Sequence, residues 1–224
     1  MFSKDTLNFL DDLAVNNNRI WFEDNKSRYE SLVREPALQF IEAMVPALET
    51  FAPHFRADSR KTGGSLMRVH RDARFSHNKT PYKTNIGIQF RHELGKDVHA
   101  PGFYLHIATD GCFLGIGCWR PEADELSKIR QRIAEKPQNW FAARDDKDFL
   151  AHWNLDGDCL KRPPRGYDVN HPAIEDIKRK EFVAGSSLSF NDVTNAKLPK
   201  LVGQRFAAAA PFMKFLCEAL GVQY

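Results

Sequence analysis

Gly102-Phe103-Tyr104-Leu105-His106-Ile107-Ala108-Thr109-Asp110-Gly111-Cys112-Phe113-Leu114-Gly115-Ile116-Gly117-Cys118-Trp119 is the stretch that decides the fold. Two runs rich in β-branched and aromatic residues flank Asp110-Gly111, a dipeptide that accepts the positive φ values of a tight hairpin turn. Antiparallel strands are therefore predicted over 102–109 and 112–119. In the first of them Phe103, Leu105 and Ile107 alternate with Tyr104, His106 and Ala108. One face is thus apolar, and the other is polar enough to line a pocket. Tyr104 and His106 are candidate ligand contacts on that face, although a lone strand histidine more often satisfies a structural role.

Outward from the hairpin, Gly63-Gly64 opens a region of short strands, with runs at 65–69 and 86–91 before the hairpin and 182–190 after it. Helical signals lie on both sides. Ser3 is placed to cap a first helix with Phe2 and Leu7 as a staple, and Asn18 to cap a second that carries Trp21, Phe22, Tyr29 and Val33. Pro36 ends that helix or opens a third, through Phe40, Ile41, Met44 and Leu48, which Pro46 should kink or shorten. After the hairpin, 121–135 reads as an amphipathic helix, Pro137 opens another as far as Leu150, and 172–180 holds a short one. Asn191 or Asp192 caps an end-region in which Val202, Phe206, Ala209, Met213, Leu216 and Leu220 step by three and four, interrupted by Pro211 and closed by Gly221. The fold class is α+β: N-terminal helices, a central, mainly antiparallel sheet with a hairpin, and C-terminal helices packed on the sheet. One domain over 1–224 is expected, since no linker or repeat divides the chain.

Charge is unevenly distributed. From Arg60 to Lys83 there are seven Lys or Arg and one acid, a local +6, while the whole chain is +3. Gathering cations in one short segment costs self-repulsion unless an anion answers it, and Asp72 is the only carboxylate inside the segment. Arg68, Arg71 and Arg74 offer planar forked donors that fit carboxylate or phosphate oxygens two at a time. Lys79 and Lys83 add point charge, Tyr82 a hydroxyl and Asn78 a turn-forming side chain. Pro81 disfavours helix at Thr80, so 71–80 is expected to be an irregular loop leaving the sheet. Farther along, Lys161-Arg162-Pro163-Pro164-Arg165-Gly166-Tyr167 is a stiff basic loop that presents Lys161 and Arg165 with little entropy to lose.

The central segment resembles a widespread bacterial family of unknown function with the signature Arg-x-x-Arg-Asp-x-Arg-Phe, then Asp or Asn followed by Lys, then Tyr. The pattern falls on Arg68, Arg71, Asp72, Arg74, Phe75, Asn78, Lys79 and Tyr82. Two further stretches are similar to the same family: Asn17-Asn18-Arg19-Ile20-Trp21-Phe22 with Asn25, Lys26 and Tyr29, and 160–167 with His171-Pro172. The resemblance implies one domain and carries no established activity.

Composition excludes several classes. A hydrophobic content of 42% with 17 Phe and 4 Trp is that of a globular chain, not a disordered one. Cys112 and Cys118 on one strand would stand roughly 20 Å apart, outside disulfide reach, and no cysteine or histidine spacing suits a metal. No glycine-rich phosphate loop indicates a cofactor. The first residues lack a basic segment followed by an apolar one, and no run approaches a membrane span, so a cytoplasmic protein without a membrane partner is expected.

Three functional readings follow. The first is a small phosphorylated or carboxylated ligand held by the arginine-rich segment together with Lys161 and Arg165. If catalysis accompanies it, Asp72 or a histidine would be the base, although neighbouring arginines weaken an aspartate in that role. The second is nucleic acid, with the same loop on phosphates and Phe75, Tyr82 or Tyr167 stacking on bases. The third is an interaction module in which Arg68, Arg71 and Arg74 are buried ion-pair holders.

Overall fold

Ser3 is extended and its Oγ accepts from the Thr6 N–H, while Thr6 Oγ1 accepts from the Ser3 N–H; this reciprocal cap opens α1 (Lys4–Val15). Asn18 Oδ1 accepts from the Trp21 N–H at 3.0 Å and opens α2 (Arg19–Asp24). Then α3 (Lys26–Tyr29) passes through a π-helical turn (Glu30–Arg34) into α4 (Glu35–Phe51). Pro36 sits in the first turn of α4, where its missing N–H is no loss. Pro46 lies inside α4 and does not shorten it, one of the two effects expected of it. The helix buries Phe40, Ile41, Met44 and Leu48 on one stripe, and that burial outweighs one lost helical hydrogen bond. The computed structural model describes residues 1–72, 74, 77, 79–95 and 101–224.

The remaining elements are β1 (Phe55–Arg56), β2 (Asn85–His92), β3 (Gly102–Ala108), β4 (Gly111–Cys118), α5 (Ala123–Glu135), α6 (Pro137–Arg144), α7 (Lys147–His152), β5 (Asn154–Asp156), α8 (Ile174–Ile177), β6 (Phe182–Leu188), α9 (Phe190–Val193), α10 (Leu198–Ala208) and α11 (Ala210–Leu220). The fold is α+β. Strands pair antiparallel in the order β1-β2-β3-β4-β6-β5, with the expected hairpin at its centre joining β3 and β4.

Period-two alternation sets the two faces of the sheet. Ile88, Leu105 and Leu114 are cross-strand neighbours, and with Phe90, Phe103 and Ile116 they form the floor of the core. Helices close over it. Phe40 of α4 meets Phe90, Phe206 of α10 meets Phe103 at 4.7 Å, and Phe212 of α11 stacks on Phe149 of α7. The opposite, outward face carries Gly87, Gln89, Tyr104, His106, Phe113, Gly115, Gly185 and Ser187.

Three further expectations are corrected and two strands are added. The run at 65–69 is not a regular strand: it joins β2 at one bridge, Leu66 to Ile88, flanked by Gln89 N–H to Ser65 O and Met67 N–H to Gly87 O, beside the stretch of β2 that β1 covers at Arg91 and His92. The helix expected from Pro137 to Leu150 is two, since Asp146 caps α7 with its side chain. The short β1 and β5 pair at the two edges of the sheet without any alternation long enough to announce them. Finally, the cap before the C-terminal helices is Ser189, whose Oγ accepts from the Asp192 N–H while Asp192 reaches back to it.

Among the described residues, no helix is long and apolar enough to cross a membrane. Nor does any group of three or more His, Cys, Asp or Glu gather as metal ligands among them.

Candidate functional site

The arginine-rich segment leaves the sheet as a two-stranded ribbon. Met67 N–H donates to Gly87 O, Lys83 N–H to Val69 O and Arg71 N–H to Pro81 O, the last two at 2.8 Å. His70 and Tyr82 face each other across the ribbon. Tyr82 is 3% exposed and its ring stacks on Phe22 of α2 with centroids 4.0 Å apart and planes 17° from parallel. The Asn17 side chain closes the joint: its Oδ1 accepts from the Tyr82 N–H and its Nδ2 donates to the Tyr82 carbonyl, each at 3.0 Å. One amide thus acts as a short third strand on the ribbon's edge and fixes it against the α1–α2 turn.

This docking creates an open cleft of about 400 Å³ between α2 and the ribbon. Arg19 and Glu23 contribute from α2, and Arg71, Lys79 and His70 from the ribbon, over a floor of Pro81 and Tyr82. Among the described residues the Arg19 side chain has no hydrogen-bond or ion-pair partner. Arg71 Nη1 reaches Thr80 Oγ1 at 3.3 Å. Glu23, the single carboxylate in the lining among the described residues, is paired with Lys26 at 3.1 Å. A smaller gap beside Leu13, Val33 and Met67, about 10 Å³, is the size of one water.

The sequence-derived candidates divide among several neighbourhoods. Arg71, Lys79 and Tyr82 line the cleft, Tyr82 through a ring that is otherwise buried. Arg74 turns back on Asp72 with a forked contact, Nε to Oδ1 at 3.0 Å and Nη2 to Oδ2 at 2.7 Å. That contact, the Arg74 backbone N–H and the charge of Arg68 hold the Asp72 carboxyl far below the usual carboxylate range. Asp72 is therefore a poor general base. Lys83 is half-buried, and burial, then the charge of Arg68, lowers its pKa. Asn78 and Phe75 lie outside the described residues.

Arg68, Arg71 and Arg74 are all exposed. The expectation of buried ion-pair holders is corrected: the ribbon projects from the sheet edge, so its side chains reach water instead of the core.

Tyr104 and His106 stand together, but on the outward face of β3. Tyr104 Oη donates to His106 Nδ1 at 3.0 Å, and Asn85 Nδ2 approaches the same nitrogen at 3.5 Å. The Asn85 amide N–H can only donate, so Nδ1 is the acceptor of the pair, Tyr104 Oη donates to it, and the imidazole proton sits on Nε2. Burial pushes Tyr104 up to about 12 and lowers His106, the latter opposed by Asp110. Gly87 makes room for this pair, since a Cβ there would lie 3.0 Å from both Tyr104 Oη and Met67 Sδ.

Lys161 and Arg165 are exposed in the loop that follows β5, the strand at the opposite end of the sheet order from β1 and β2. That loop is tied down locally. Leu160 N–H donates to Lys178 O, and His171 bridges the Ala134 carbonyl of α5 and the Ala173 N–H.

Sequence reasoning gave Arg19, His70, Glu23 and Asn17 no part in a site. The available signal was the stretch 17–22 with Asn25 and Lys26, singled out in the sequence, whose Asn17 and Phe22 pack on the ribbon. Asn25 and Lys26 from that stretch serve α2 itself: Asn25 Nδ2 donates to Trp21 O, and Lys26 pairs with Glu23.

No curated protein and no solved structure matches this chain. A family model described as a conserved hypothetical protein, DUF2461, matches residues 5–215. That span takes in α1, the Asn17 to Tyr82 joint, the ribbon, the sheet and most of α11, and the chain belongs to this family of conserved hypothetical proteins.

Proposed function

We propose that the cleft between α2 and the ribbon binds a small phosphorylated or carboxylated molecule. One observation carries the reading: Arg19 and Arg71 face one cleft from separate elements, and Glu23, its single carboxylate among the described residues, is already paired with Lys26. Two guanidinium groups, one of them engaged only through Arg71 Nη1 with Thr80, favour an oxyanion that accepts from both. Lys79 adds charge at the same lining. The reading is one of binding, because Asp72, the nearest carboxylate on the ribbon, is held ionised by Arg74 and has little basicity to offer.

Isothermal titration with a panel of phosphate esters, nucleotides and dicarboxylates tests it. At least one ligand should bind, and Arg19→Ala or Arg71→Ala should each weaken it by ~1.5–3 kcal/mol, the range for hydrogen bonds to charged groups. No heat from any member of the panel, or equal heat in both variants, would sink the proposal.

Nucleic acid is the weaker reading. Tyr82 is committed to its stack with Phe22, and Tyr167 is half-buried against the core. A steep fall of affinity with salt for single-stranded probes would revive it.

A further inference from the structure

The outward face of the sheet holds a second feature, independent of the cleft. His106 and Phe113 are cross-strand partners, and their rings stand nearly parallel, 15° apart with centroids at 4.6 Å. That distance is about one strand spacing, roughly 4.8 Å, so each strand supplies one ring to a stack that advances across the sheet. On β6 the next place belongs to Ser187, the partner of Phe113, and beside it to Gly185, the partner of Gly115. Neither side chain can fill it.

The vacancy can be measured from the glycines. Among the described residues, a Cβ built at Gly185 would meet nothing within 4 Å, and one at Gly115 would meet only the Tyr104 side chain, at 3.6 Å. Phe113 is 40% exposed, high for a large apolar ring on a central strand. The result is an open slot with the bare peptide of Gly185 as its floor, bounded by the Phe113 ring and by Tyr104, which packs over Gly115. Its rim carries the Ser187 hydroxyl and the side chain of Asn154, the β5 partner of Gly185, both exposed.

We propose that this slot takes a nucleobase, stacked on Phe113 as the next ring after His106 and Phe113. A flat heteroaromatic ring matches the spacing that the stack already keeps, and bare peptide planes and an exposed phenyl are surfaces on which bases stack. The rim supplies what a base edge needs: a hydroxyl and an amide, each able to donate and to accept. Neither rim group is charged, so the recognition is of a neutral ring edge and needs no phosphate.

The test uses the full chain and ligands without phosphate. Adenosine, guanosine, cytidine and uridine are titrated by calorimetry and by NMR, beside methyl glucoside and phenylalanine amide as probes of a sugar or a protein aromatic. Phe113→Ala removes the wall. Gly185→Val places a branched side chain in the slot at a position where the φ is outside the left-handed range and a Cβ meets nothing within 4 Å. At least one nucleoside should bind, with affinity lowered about tenfold or more by either variant. Arg71→Ala should leave it unchanged, and Gly185→Val should melt no lower than the parent. The proposal is overturned if no nucleoside binds, if Gly185→Val binds as well as the parent, or if the glucoside or the amide binds more tightly than any nucleoside.

Discussion

Asn17 grips the main chain of Tyr82 at both of its polar groups, accepting from the N–H and donating to the carbonyl at 3.0 Å each. The two residues are 65 positions apart, and the contact, together with the Phe22–Tyr82 stack, holds the ribbon bearing Arg71 against the helix bearing Arg19. Asn17→Ala leaves both groups of a buried residue short of a partner, and should cost about 1–3 kcal/mol in urea denaturation. Asn17→Asp keeps the acceptor and loses the donor, so it should fall between alanine and the parent. Amide exchange at Tyr82 should accelerate in both. An unchanged exchange rate would mean that the ribbon is held by other contacts.

Tyr82 and Arg71 are near neighbours on the ribbon with opposite duties. Tyr82→Ala removes a buried ring stacked on Phe22 and should cost ~3–5 kcal/mol, as other large aromatic truncations do. Arg71→Ala removes an exposed side chain and should stay within about 0.5 kcal/mol of the parent while weakening the anion. Chemical denaturation of the two variants side by side checks this. A large stability loss in Arg71→Ala would return that arginine to a structural role.

His106 titrates below its ordinary 6.5 because burial disfavours the imidazolium. The sign follows from linkage: a base whose folded pKa is depressed contributes stability that is present above the unfolded pKa and is lost as pH falls through the folded one. Stability should therefore decline on acidification from about pH 6.5, and His106→Gln should reduce that slope. NMR titration of the imidazole nitrogens reports the pKa directly and should show Nδ1 unprotonated at neutral pH. A His106 pKa at or above 6.5 would contradict the burial and the Tyr104 hydrogen bond as described.

The sheet glycines separate into tolerant and intolerant positions. Gly117 has φ +102°, and a Cβ there would collide with the Phe182 carbonyl oxygen of β6. Gly117→Ala should cost at least ~2–3 kcal/mol, through backbone strain and a clash with main chain that cannot swing away. Gly87→Ala meets only the ends of Met67 and Tyr104, so it should cost about 1 kcal/mol and break the Tyr104–His106 hydrogen bond. Melting temperatures in the order Gly117→Ala, Gly87→Ala, parent are the expected result.

The hairpin was legible because Asp110-Gly111 and the alternation around it act locally, and β3 and β4 lie within one residue of the predicted limits. The caps at Ser3 and Asn18 and the C-terminal stripe up to Gly221 were legible for the same reason. β1 and β5, two and three residues long, owe their strand form to pairing at the sheet edges, which no local pattern encodes. At the cleft, the charge run exposed Arg71 and Lys79. Arg19 stayed hidden, because its meeting with Arg71 depends on the Asn17 to Tyr82 contact, and an amide bonded to distant main chain leaves no periodic trace. Arg74 and Asp72 were misleading in the other direction, since two residues apart they satisfy each other.

The five residues from Glu30 to Arg34 wind more loosely than the helices on either side. One added residue in a helical path turns everything downstream by about 100°, the advance of a single α-helical position. Upstream of it, Tyr29 meets Phe22, 5.2 Å away, the ring on which Tyr82 stacks; downstream, Phe40 meets Phe90 of the sheet, with Ile41 and Met44 buried beside it. A deletion of one codon within this stretch would restore regular winding and leave a perfectly good helix. It would also set the two halves out of phase, so that either the support of the ribbon or the cover of the sheet is lost.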